Sequence, residues 1–241
     1  MLNCVGYIMI LTNYTNLSVA RAKRTGKKPV AFIDCDGVIR NLNFKLIETY
    51  KKYYDPDFPL TTSQIKNYYI DDYFKKWFLT ACFGDGQVSG EHSEEIYEDA
   101  PLMEDDIKES LEQLSKTHDL YLVSAQKKGC EIHTIKYFDT HSLSPVFKDI
   151  MFAPLCSYHG LKEQSYRSIG FDDKSFVLED SPYDLLDAKN ISLRAIAYAQ
   201  TYNKYWAGEK VSSLKKFLSH QNEDGSIKNF ASSLPVHYWI L

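Results

Sequence analysis

The sequence predicts an α/β fold: a parallel sheet covered by helices on both faces, with a small helical insert near its start. Three observations predict it. Short apolar runs alternate with helical patterns from Pro29 to Ala197. The runs are apolar throughout rather than alternating, the mark of strands buried on both faces. One long, aromatic-rich stretch breaks the rhythm just after the first run.

Val30–Ile33 reads as the first strand, ended by the turn signal Asp34-Cys35-Asp36-Gly37. Residues 41–100 then carry helical patterns, with twelve Phe, Tyr or Trp between Phe44 and Phe83. That is too much chain for an ordinary βα loop, and it is read as a helical cap. Ile107, Leu111 and Leu114 mark a helix before the second strand, 120–123. Strands follow at 149–152, 176–178 and 193–197, with helices at 161–169 and 183–189 between them. Residues 211–218 look like a short helix, 222–226 like a turn and 235–241 like an apolar segment packed on the core. The predicted organisation is an N-terminal extension (1–28), an α/β core (29–40 and 101–241) and the cap (41–100).

A chain of 241 residues holds one large domain, or a core with a smaller insert. Apolar content of 44% and 25% charged residues describe an ordinary soluble globular protein. A net charge of −4 makes no global electrostatic case for nucleic acid or a membrane surface. The five cysteines (4, 35, 82, 130 and 156) have no CxxC or zinc-like spacing, so reduced thiols in a cytoplasmic protein are expected. No apolar run approaches a membrane span. Residues 5–11 are apolar but short, with no basic residue before them, so a signal peptide is not expected. Arg21, Lys23, Arg24, Lys27 and Lys28, in an acid-free stretch, are read as a solvated lead-in, with part of a transit peptide as the alternative.

In an open α/β sheet, ligands bind beyond the carboxyl ends of the strands. The polar residues there are Asp34 and Asp36 after strand one, Ser124 after strand two, a loop leading to Lys162 after strand three, and Glu179 and Asp180 after strand four. Asp184 follows four residues later. Asp34 and Asp36 point the same way if the strand runs through them, and Gly37 lets the chain turn away. Carboxylates hold a hard cation such as Mg²⁺; a hydroxyl and an ammonium hold phosphate oxygens. A calcium loop fits less well, because the acids do not continue at alternate positions. Cys35 points opposite to its two acidic neighbours and reads as a packed thiol. Lys127 and Lys128 are the other lysines on the correct side of the sheet; Lys174 belongs at the opposite edge.

This ordered set resembles the haloacid dehalogenase (HAD) superfamily. Asp-Cys-Asp-Gly-Val at 34–38 is similar to its first motif, Ser124 to the second, Lys162 to the third and Glu179-Asp180 to the fourth. The resemblance spans about residues 29–199 and implies a Rossmann-like core with a C1-type cap. The aromatic cap, Val-Ser-Ala-Gln at 123–126 and Thr201-Tyr202-Asn203 resemble the 5′(3′)-deoxyribonucleotidase group. Gln126 departs from it, since the nucleotidases usually carry Arg followed by Pro after the small residue. Glu179-Asp180-Ser181-Pro182 also resembles the β-phosphoglucomutase-like phosphatases.

The resemblance implies a Mg²⁺-dependent phosphomonoester hydrolase. Asp34 becomes the nucleophile and Asp36 the acid/base. Asp34, the Asp36 carbonyl, Asp180 and Glu179 surround the metal, while Ser124 and Lys162 hold the phosphoryl group. The implied partner is a small phosphorylated substrate, a nucleoside monophosphate among the options. Trp77 and Phe78 are the first choices for stacking on a base. A sugar-phosphate phosphatase or phosphomutase is the alternative, and a non-catalytic binding module on the same scaffold is a third.

Overall fold

The computed structural model describes residues 28–86, 88–156, 159–220 and 222. The basic residues before Lys28, nearly all of the expected turn at 222–226 and the terminal apolar segment lie outside them.

Among the described residues, seven strands form one sheet in the order β4-β3-β2-β1-β5-β6-β7. They are β1 (Val30–Ile33), β2 (Asp119–Gln126), β3 (Asp149–Cys156), β4 (His159–Gly160), β5 (Phe176–Glu179), β6 (Arg194–Tyr198) and β7 (Glu209–Val211). Six strands are parallel; the two-residue β4 runs antiparallel to β3 at the edge. Ile33 pairs with Leu122 on one side and with Leu178 on the other, so β1 lies at the centre.

Alternation along β1 explains why the whole run is apolar. Val30 and Phe32 pack on one face with Tyr121, Tyr166, Val177 and Ala188. Ala31 and Ile33 pack on the other with Leu111, Leu122, Phe138 and Phe217. Each face is covered, so neither tolerates a polar position. The helices that follow in chain order are α1 (Leu42–Tyr53), α2 (Lys76–Phe83), α3 (Ser93–Glu98), α4 (Ile107–Ser115), α5 (Glu131–Thr140), α6 (Lys162–Ile169), α7 (Pro182–Asn190) and α8 (Leu214–Leu218). α4, α5 and α8 supply the second face, α6 and α7 the first.

Helices α1, α2 and α3 lie between residues 41 and 100 and share an apolar cluster of their own. It contains Leu46, Ile47, Phe74, Phe78, Cys82, Ile96 and Tyr97. The outgoing and returning chains are stitched together where this segment leaves the sheet: Asn41 N–H donates to the Pro101 carbonyl, and Met103 N–H to the Ile39 carbonyl, each at 2.8 Å. Among the described residues no helix is long and apolar enough to cross a membrane.

The structure departs from the sequence reading at several elements, among them β4, which the reading lacks, and β3, which runs on to Cys156. β2 continues through Gln126, which places Ser124 inside the strand rather than beyond its end. Residues 209–211 form an edge strand; the expected helix there begins only at Leu214. α5 has no counterpart in the reading. Its Ile132 and Ile135 face solvent while Thr134 is buried, so the sequence lacks a clean apolar stripe.

Candidate active site

The Asp34–Arg40 turn is built tightly. Asp34 N–H still donates to Leu178 O of β5 at 3.0 Å, so this residue is held as part of the sheet. The Cys35 carbonyl then accepts from the N–H groups of Val38, Ile39 and Arg40. Gly37 has φ +80°, a conformation that costs a side-chain-bearing residue. Cys35 is fully buried, and burial pushes its thiol well above the ordinary range. It packs; it is not an exposed nucleophile.

Four predicted residues meet at the carboxyl edge of β1 and β5. Lys162, the first residue of α6, reaches Asp34 Oδ1 at 2.7 Å and Glu179 Oε2 at 2.5 Å. Asp184 of α7 lies 3.7 Å from the same ammonium. Glu179 Oε1 accepts from the Asp180 and Ser181 N–H groups, both at 3.0 Å. Both Glu179 oxygens therefore have partners, and the carboxylate holds Lys162 and the Asp180 backbone in register. Ser181 caps α7 through the Asp184 N–H, and Pro182 opens the helix. Of the rival lysines, Lys127 donates to the Gly84 carbonyl and Lys128 is exposed.

The charges at this cluster do not balance. Asp34, Glu179, Asp180 and Asp184 are buried around one ammonium. Burial, reinforced by Asp34, pushes the Asp180 carboxyl up to about 8. The same two causes raise Glu179 well above the carboxylate range. Burial also raises Asp34, despite the opposing pull of Lys162. Burial disfavours the Lys162 ammonium, but Asp34 and Glu179 outweigh it and hold its pKa well above the usual value. Oxygens of Asp34, Glu179 and Asp180 lie within 4.8 Å of one another. Hard oxygen donors with surplus negative charge suit a divalent cation such as Mg²⁺.

The chain after β6 supports this cluster. Tyr202 donates its hydroxyl to Asp180 Oδ2. Asn203 Nδ2 donates to the Asp180 and Tyr198 carbonyls at 2.9 and 2.8 Å. Gln200 Nε2 donates to the Gly37 carbonyl at 2.7 Å. Thr201, Tyr202 and Asn203 stood out in the sequence only through resemblance, and Gln200 did not stand out at all. A polar run directly after a buried strand was the available signal for both.

Asp36 lines the same cleft but stands outside the Lys162 cluster. Its carboxylate is gripped by Arg40 through bonds of 2.7 and 3.1 Å. Arg40 was not singled out in the sequence; its one clue was a charge beside the apolar pair Val38-Ile39. Ser124 is buried, and Gln126 Nε2 lies 3.4 Å from its hydroxyl.

A cleft of about 620 Å³ opens above the cluster, between the sheet edge and the 41–100 segment. Asp34, Asp36, Ser124, Lys162 and Asp180 line its floor; Tyr68, Tyr69, Phe74 and Phe83 line its wall. Trp77 and Phe78 do not line it. Phe78 is fully buried in the cluster of residues 41–100, and Trp77 is half exposed, packed edge-on against Tyr54. Helical spacing identifies the aromatic stretch but not which of its rings reach the cleft: Phe74 does, Trp77 and Phe78 do not.

Solved structures settle the fold. A haloacid dehalogenase-like hydrolase of Streptococcus pneumoniae is 14% identical, with 80% of this chain and 97% of that chain covered and a TM-score of 0.52. A HAD-superfamily hydrolase of subfamily IA from Geobacter sulfurreducens is 15% identical, with 80% and 98% covered and a TM-score of 0.52. The fold is that of HAD hydrolases. CbbY from Rhodobacter sphaeroides, solved in complex with phosphate, shares it at 13% identity, with 79% and 96% covered and a TM-score of 0.51. No protein-family model matches the sequence, and no curated protein sequence matches it.

Proposed function

We propose that this chain is a Mg²⁺-dependent phosphomonoester hydrolase acting through an aspartyl phosphate on Asp34. The observation that carries this reading is the meeting of Asp34, Lys162, Glu179 and Asp180 on the floor of a cleft with an aromatic wall. Residues 41–100 act as a C1-type cap over that floor, and the protein works in the cytoplasm.

An Asp34 carboxylate oxygen attacks phosphorus while the bond to the leaving oxygen breaks. Asp36 gives its proton to that oxygen. Asp36 then takes a proton from the water that attacks the phosphoaspartate, and inorganic phosphate leaves with Asp34 restored. Ser124 and Lys162 hold the phosphoryl oxygens. Asp34, the Asp36 carbonyl and Asp180, with Glu179 beside them, would hold Mg²⁺, whose charge offsets that of the phosphate as the carboxylate approaches.

The cleft has room for far more than a phosphate group, and its flat rings suit a nucleobase. A 5′-(deoxy)nucleoside monophosphate is the substrate proposed. Asn41, Asn43 and Gln126 on the same cleft favour a second reading, a sugar-phosphate phosphatase or mutase. The test is phosphate release from a panel of nucleoside and sugar monophosphates with Mg²⁺. Release that stops with EDTA and in Asp34→Asn is expected. Silence across the whole panel sinks the proposal; isomerised sugar phosphate without free phosphate selects the mutase. A folded Asp34→Asn protein with undiminished function would select a binding module.

A further inference from the structure

Arg40 is fully buried, at the junction where the 41–100 segment joins the sheet. Its backbone bridges Asp36 on one side and Leu102 on the other. Its guanidinium makes three bonds. Nε donates to Asp36 Oδ1 at 2.7 Å and Nη2 to Asp36 Oδ2 at 3.1 Å. Nη1 donates to the Tyr97 carbonyl of α3 at 3.0 Å. The guanidinium carbon also lies 4.6 Å from the Tyr97 ring centre and 5.1 Å from that of Tyr137 in α5.

Packing alone does not account for this arrangement. The Tyr97 and Tyr137 rings attract any cation, and an apolar side chain would fill the same space without the cost of desolvating a charge. What only an arginine supplies is a planar fork that fixes both oxygens of one carboxylate. Asp36 retains 24% side-chain exposure, so without that fork it is free to rotate toward solvent.

We propose that Arg40 is a positioning residue: it sets the orientation of the Asp36 carboxylate for proton transfer, and takes its own position from α3 through the Tyr97 carbonyl. The assignment rests on the hydrolase reading above, in which Asp36 exchanges the proton. It makes Arg40 the link between the seat of the 41–100 segment and the acid/base group. A shift of α3 moves the third bond of the guanidinium and, with it, the fork that holds Asp36.

The leaving group provides the test. A p-nitrophenolate departs as a stable anion and needs little protonation as its bond to phosphorus breaks. An alkoxide needs a proton from Asp36 at that step. kcat/KM is measured for p-nitrophenyl phosphate and for a simple alkyl phosphate, in the wild type, Arg40→Met and Arg40→Lys. In Arg40→Met the alkyl ester loses about a hundredfold, roughly tenfold more than the aryl ester. Arg40→Lys regains part of the difference, since one ammonium makes one of the two bonds. Equal losses on both esters, or no loss on either, overturn the assignment. If Arg40→Met does not fold by circular dichroism, the same ratio is read in Arg40→Lys alone. Wild-type protein that releases phosphate from neither ester nor from any monophosphate of the panel overturns the hydrolase reading, and this assignment with it. Where only the panel is turned over, its best substrate replaces the alkyl ester, and no loss on it in Arg40→Met overturns the assignment.

Discussion

Gly37 and Asp180 touch across two strand ends: a Cβ on Gly37 falls 1.9 Å from Asp180 Oδ2. The turn after β1 and the carboxylate after β5 are therefore shaped against each other. Tyr202 closes the same contact from a third side, 3.0 Å from the position of that Cβ.

Gly37→Ala must displace Asp180 and also adopt φ +80°. The backbone strain alone costs about 1–2 kcal/mol. The expected result is a lower unfolding midpoint in urea and Mg²⁺ binding weakened at least tenfold by titration calorimetry. A variant with wild-type midpoint and affinity would show that the turn relaxes without touching Asp180.

Lys162→Met leaves the buried acids Asp34, Glu179 and Asp184 without their shared ammonium. Removing one partner of a buried ion pair costs about 3–5 kcal/mol. The loss appears in urea unfolding in EDTA and shrinks when Mg²⁺ is added, because a cation offsets the same charge. An equal loss with and without Mg²⁺ would contradict the charge argument.

His118 sets a pH dependence away from the cleft. It is buried against Phe176, and burial pushes its pKa down to about 4. Between pH 6.5 and 4 the unfolded chain takes up a proton that the folded protein refuses. Stability from this group is full above pH 6.5 and lost as pH falls toward 4, by up to about 3 kcal/mol. His118→Phe flattens that part of the stability curve relative to the wild type. Parallel curves for the two proteins would exclude His118 as the source.

The core was largely legible because buried parallel strands leave a continuous apolar record. β1 has the bounds read from the sequence, and the predicted strands at 120–123 and 176–178 lie inside β2 and β5. β7 was not legible: a three-residue edge strand buries too little to impose a pattern. The same limit applies to the cleft. The sequence shows that residues 41–100 are rich in rings, but not which rings face the floor.

By itself the sequence determined the α/β fold and the strand ends that carry acids, because periodicity and turn chemistry are local. Tertiary structure decided that Lys162 joins Asp34 to Glu179, that Arg40 grips Asp36, and that Tyr68 and Phe83 rather than Trp77 and Phe78 line the cleft. Lys162 and Asp34 lie 128 residues apart in the chain. Their pairing exists only once the sheet has brought their strand ends together, because charge interactions depend on distance in space rather than in sequence.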